Sequence, residues 1–296
     1  MSAVVWLPMA AAVTAALASG LLYRRIPPKL ATPLLTVIVI TAALGVAWAL
    51  VITMLAFVMQ IGWVGTAAGW CDVLVTPHHR VPALLGMASA MAFWVGLARM
   101  ALWLRHRRAV VRSLQQSSPA VEIIPSPLPT AFAVPGRPGH IVVSQGMLDS
   151  LEDAQRDALI AHEQAHLDCG HHRYVVAVEA ATRAVPVLHP LRRRVRYCTE
   201  RWADEVAATV VGDRLVVASA ITQAALSGST FSGPASLDIA GESVAARVTA
   251  LLRPDGGSAS STGATAGLLL GALAVVIGSF IQLHHLLALA LHVCQH

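Results

Sequence analysis

The stretch His162-Glu163-Gln164-Ala165-His166 decides how this chain is read. Histidines four apart on a helix share a face, so both imidazoles reach one metal ion, and Glu163 sits where its carboxylate reaches a water molecule beside that ion. The motif therefore needs a helix, and the rest of the chain must supply a further ligand.

The flanks provide the helix. Ser150, with Asp153 three positions on, is a weak form of a capping box, and Gly170 is a stop, so a helix is predicted from about 151 to 169. A mostly apolar helical stretch follows over 173 to 187. Pro190 then suits the first turn of a helix running to about Val211, with Gly212 as its end. On that helix Glu200 and Asp204 are four apart and share a face, whereas Glu205 is rotated by about 140° from Glu200. Glu200 is the expected third ligand. Asp204 is expected to accept the free N–H of a ligating histidine and fix its tautomer. His171 and His172, just past the motif helix, read as cations at its C-terminal dipole.

Asp213 caps a predicted helix of about 214 to 226, and residues 241 to 252 read as an amphipathic helix carrying Arg247, a candidate contact to substrate or to an oxyanion. Upstream, Pro125 to Pro129 break regular structure. Ala131 to Val134 and Ile141 to Ser144 read as short strands around Pro135-Gly136-Arg137-Pro138-Gly139. Ala131, Phe132, Ala133 and Val134 are a candidate edge strand for an extended substrate.

The chain of 296 residues is 56% hydrophobic and 12% charged, with mean hydropathy +0.64, too apolar for an ordinary soluble domain. Membrane spans are expected at about 3–22, 34–58, 82–104 and 264–286, each long enough to cross a hydrocarbon core of about 30 Å. Positive charge follows the first span (Arg24, Arg25, Lys29) and the third (Arg105, Arg107, Arg108, Arg112). The positive-inside rule then places both segments in the cytoplasm and both termini outside. The net charge of +5 resides in arginines beside apolar spans, where it sets topology and meets anionic lipid, so direct nucleic-acid binding is excluded. Four cysteines without C-x-x-C spacing argue against a cysteine metal site. Cys71 and Cys294 both fall on the expected outer face, where the compartment permits a bridge.

These readings predict an α+β protein, mainly helical and polytopic. A membrane domain (1–104) precedes a cytoplasmic zinc peptidase domain with a small sheet (105–257), and a linker with the fourth span (258–296) follows. One Zn2+ is expected on His162, His166 and Glu200, with Glu163 taking the proton from the attacking water.

The segments Ala131-Phe-Ala-Val-Pro-Gly136, Ile141-Val-Val-Ser-Gln-Gly146, the motif itself, and His189-Pro190 leading to Glu200-Arg-Trp-Ala-Asp-Glu205 resemble the gluzincin-type membrane metallopeptidases. They are most similar to the BlaR/MecR-type antirepressor peptidases, whose zinc domain lies in the cytoplasm between the third and fourth spans. HtpX-type quality-control proteases and CAAX prenyl proteases share the strand, HExxH and Glu-x-x-Ala-Asp elements. The resemblance implies cleavage of a transcriptional repressor of the BlaI/MecI kind at the inner membrane, in contact with lipid, and it is compatible with a homo-oligomer. The sequence given departs from the fuller antirepressor pattern: it ends after the fourth span without a penicillin-binding sensor domain, so direct beta-lactam acylation is not expected. It also lacks the histidine-proline pair that HtpX-like enzymes carry before the position of Arg247. Two alternatives stay open: a quality-control protease, and a membrane transducer that binds zinc without hydrolysing anything.

Overall fold

The computed structural model describes residues 23–58, 60–61, 81–115, 119–229 and 244–253, with scattered helical positions between 10 and 17 and between 263 and 284. Among the described residues, two helices are long and apolar enough to cross a membrane: α1 (Pro28–Val58) and α2 (Ala83–Leu114). They coincide with the second and third expected spans. The first and fourth expected spans, with Cys71 and Cys294, lie outside the described residues apart from the scattered positions, so four spans are not established.

Buried threonines in α1 close their hydroxyls on the preceding turn, Thr36 donating to the Thr32 carbonyl and Thr53 to that of Ala49, each at 2.8 Å. An apolar helix can carry these groups because each hydroxyl closes on its own backbone; the equally buried Thr32 hydroxyl has no partner among the described residues. The first half of α1 does not stand apart from the rest of the protein. Ala31, Leu35, Ile38, Val39, Ala42 and Ala43 are buried in one core with Val178, Val185, Leu188, Leu191 and Val195. Helix α2 leaves most of its apolar face uncovered and continues ten residues past the expected span end at 104, carrying its basic extension as unbroken helix. It approaches its neighbour closely at Gly96, where a Cβ would lie 2.5 Å from the carbonyl oxygen of Ala184.

Three short strands follow: β1 (Val121–Ile124), β2 (Ala131–Val134) and β3 (His140–Ser144), in the order β1-β3-β2. β2 and β3, the two expected strands, pair antiparallel, with Phe132 opposite Val142, and β1 runs parallel to β3 on the other side. β1 has no counterpart among the predicted strands. Its four residues gain their definition from pairing with a strand twenty positions away.

The sheet rests on α4 (Asp153–Asp168), which is preceded by a single turn and a half, α3 (Gln145–Asp149). Ser144 caps α3, its Oγ accepting from the Met147 N–H, and Ser150 ends α3. The expected cap at Ser150 is therefore displaced. α4 starts on Glu152, whose N–H donates to Gln155 Oε1 at 3.1 Å, giving the reciprocal arrangement a better geometry than Ser150 and Asp153 offer. Gly170, at φ +62°, ends the turn as expected and reverses the chain into α5 (His171–Ala184). α6 (His189–Val211) carries Pro190 in its first turn and ends at Gly212, at φ +78°. α7 (Arg214–Ser229) opens with the Asp213 carboxylate accepting from the N–H groups of Leu215 and Val216. Residues 244–252 form the last described stretch of continuous helix, α8, seated on α6 and α7 through Leu251 and Val248.

Candidate metal centre

Helices α4 and α6 lie against each other and bring the motif to the acidic pair. The imidazoles of His162 and His166 converge with their Nε2 atoms 3.1 Å apart. From α6, Glu200 places Oε2 3.5 Å from His162 Nε2 and Oε1 3.7 Å from His166 Nε2. One donor atom from each of the three residues lies within 4.8 Å of the others, and among the described residues they form the one such group. Ligands of a tetrahedral zinc ion are separated by about 3.3–3.5 Å, given bond lengths of about 2.0–2.1 Å. The three donors are thus spaced for one ion, and their chemistry, two imidazoles and a carboxylate, suits zinc.

The charges around them agree. Asp204, 1% exposed, lies one turn beyond Glu200, its Oδ1 3.0 Å from His162 Nδ1. Arg247 on α8 grips Asp204 with two bonds, Nε to Oδ2 at 2.7 Å and Nη2 to Oδ1 at 2.6 Å, and its Nη1 lies 3.3 Å from Glu200 Oε2. Two carboxylates face one guanidinium, which leaves one negative charge for a cation to meet. Burial alone would push the His162 imidazole down, but its hydrogen bonds to Asp204 and Glu200 outweigh burial and hold it up at about 10. Burial carries His166 the other way, to about 4. Burial would raise both carboxyls, yet His162 and Arg247 keep Glu200 and Asp204 below the ordinary carboxylate range. The field at His162 Nε2 is one that attracts positive charge.

Glu163 faces an open cleft of about 500 Å³ also lined by Ala131, Phe132 and Ala133 of β2. Burial raises its carboxyl, partly offset by His162 and by the neighbouring Ala133 backbone. The direction of that backbone follows from the register. The Ile141 N–H turns to Ala120 beside β1, so Ala133, opposite Ile141, is a pair without ladder bonds, and its own N–H and carbonyl point outward. Ala131 is in the same phase. β2 is an edge strand whose outward main-chain groups border the cleft.

The structure thus brings His162, Glu163, His166, Glu200, Asp204, Arg247 and the β2 residues together in one place. Arg247 is the member whose surroundings change its reading: its guanidinium is engaged by Asp204 and Glu200. His171 is the residue the sequence reading missed. It is no surface cation at a helix end: it is buried, its Nδ1 is 2.9 Å from His166 Nδ1, and burial lowers it to about 3, so it stays neutral. A neutral imidazole there accepts the N–H of His166 and leaves His166 Nε2 directed at the centre. The available signal was Gly170: a chain that reverses there returns residue 171 to the last turn of the motif helix.

No curated protein and no solved structure matches the chain. Residues 102–230, which include every residue of the centre except Arg247, match the model of peptidase family M48. Members of that family are zinc-dependent metallopeptidases. The match supports an M48 metallopeptidase domain over residues 102–230 and, with it, a zinc metallopeptidase function.

Proposed function

We propose that this chain is a membrane-embedded zinc endopeptidase that cuts a protein on the cytoplasmic face, and that its substrate is a transcriptional repressor of the BlaI/MecI kind. The observation that carries the peptidase reading is the convergence of His162, His166 and Glu200 beside Glu163, with an edge strand lining the cleft. The repressor, a role in an antibiotic-response pathway and the cytoplasmic address rest on the resemblance of the sequence segments and on the arginines after each span.

His162, His166 and Glu200 would hold the zinc, which when bound polarises a carbonyl and makes water available as a nucleophile at neutral pH. The chain's own residues do the rest. An extended substrate segment pairs with the outward N–H and carbonyl groups of Ala131 and Ala133, which lays its scissile bond along the cleft. Glu163 takes the proton from the attacking water on its carboxylate and returns it to the leaving nitrogen. Asp204 and His171 hold the two imidazoles by their far nitrogens, and Arg247 holds the carboxylates of Glu200 and Asp204 in register.

Glu163→Gln tests the mechanism. Zinc content should stay at one per chain while cleavage falls to background, and full proteolysis by this variant would sink it. Incubation with a winged-helix repressor tests the substrate. One defined cut supports regulation, whereas many cuts in unfolded membrane proteins and none in the repressor support quality control.

A further inference from the structure

A second concave site lies beside the cleft. Where α2 passes over α5 and the start of α6, the three helices border an open cavity of about 290 Å³ whose lining includes Trp103, Arg107, Glu179, Arg183, Arg192 and Arg196. Four guanidinium groups face one carboxylate, so the cavity carries three uncompensated positive charges. Glu179 is only 2% exposed and already meets Arg196 Nη2 at 2.7 Å, Arg192 Nη1 at 3.3 Å and Arg183 Nη2 at 3.8 Å. One carboxylate cannot occupy the donors of four arginines. The Nε of Arg183 is buried without a hydrogen-bond partner among the described residues. The guanidinium carbons of Arg183 and Arg107 lie 5.2 and 6.0 Å from the centre of the Trp103 ring, which fixes both over one aromatic floor.

Arginines gathered into a small cavity repel one another unless an anion joins them, and their forked donors match the oxygen geometry of a phosphate. The cavity is too small for a folded partner. It sits at residues 103–111 of α2, directly after the apolar window, and tryptophan with arginine at that level is the composition of a membrane–water boundary. We propose that this pocket binds a phosphate group, carried by an anionic lipid headgroup or free in solution. The lipid source alone rests on the reading of α2 as a membrane span.

The test uses the full chain in a neutral detergent, titrated separately with phosphatidylglycerol, phosphatidylcholine and inorganic phosphate. Bound ligand is counted by native mass spectrometry and thermal stability is followed in parallel. Saturable retention of one phosphatidylglycerol, well above phosphatidylcholine, supports the pocket and assigns it to lipid. Stabilisation by inorganic phosphate alone supports the pocket and assigns it to a soluble anion. Arg183→Gln and Arg192→Gln, whose side chains stand outside the cleft, should each weaken binding at least about tenfold with zinc content and peptide cleavage unchanged. Arg192→Lys keeps the charge, loses the fork and should weaken binding without loss of fold. Glu179→Gln removes the internal competitor and should tighten binding. Retention unaffected by all four substitutions, phosphatidylcholine held as well as phosphatidylglycerol, or no response to any anion would overturn the proposal.

Discussion

Replacing Asp204 with asparagine separates two jobs that one buried carboxylate performs. On one side its Oδ1 lies 3.0 Å from His162 Nδ1. On the other it takes both short bonds from Arg247, whose side chain is 12% exposed. Losing a carboxylate behind a ligating histidine lowers metal affinity about 10- to 100-fold, or about 1.4–2.7 kcal/mol. Leaving Arg247 without its main partner is a different loss, about 3–5 kcal/mol for one half of a buried pair. In a protein of this size that lowers the melting temperature by about 6–20 °C. Chelator competition measures the first effect and a detergent melt the second. Asp204→Asn/Arg247→Met removes the orphaned charge, so it should recover much of the melting temperature while zinc affinity stays low. Recovery of zinc affinity together with stability would refute the reasoning, because Asp204 would then act through the fold and not through His162. Wild-type zinc affinity in Asp204→Asn would refute it more simply.

Three further outcomes are expected. His171→Leu removes the acceptor behind His166 and should weaken zinc about tenfold, with His171→Asn recovering part of the loss, both read by chelator competition. Ala131→Pro deletes an N–H that faces away from β3, so the sheet and zinc content should persist while cleavage of an extended peptide falls at least about tenfold in kcat/KM; unchanged kinetics would remove β2 from the substrate path. Cys198 is 1% exposed and burial pushes its thiol up to about 12, so it stays protonated and unreactive as pH rises from 7 to 9. In a Cys71→Ser/Cys294→Ser background, maleimide should modify the half-exposed Cys169 first and reach Cys198 only on unfolding, as mass spectrometry of peptides would report.

What could be read without coordinates was whatever a single segment determines for itself. Gly170, Pro190, Gly212 and Asp213 mark helix ends by local backbone chemistry, and each does so in the structure. The histidines of the motif and the Glu200–Asp204 pair follow from helical spacing alone, and only the crossing of α4 and α6 had to be supplied. The unread parts depend on partners remote in sequence. β1 is four residues that become a strand by pairing with β3. His171 acquires its role from a chain reversal, and Arg247 from carboxylates 43 positions earlier in the case of Asp204. Helix α1 is apolar all round, and such a pattern does not distinguish a lipid neighbour from a protein one; Leu35, Ile38 and Val39 face the domain's own helices.

Gly96 gives α2 a mechanical character. The rod has no proline between Ala83 and Leu114, and it presses on its neighbours at Gly86, against the Phe57 side chain, and at Gly96, against the Ala184 carbonyl about 20 Å from its start. Arg107, about 16 Å further along, borders both the catalytic cleft and the arginine cavity. The cleft wall and the apolar end of the rod are two ends of one object.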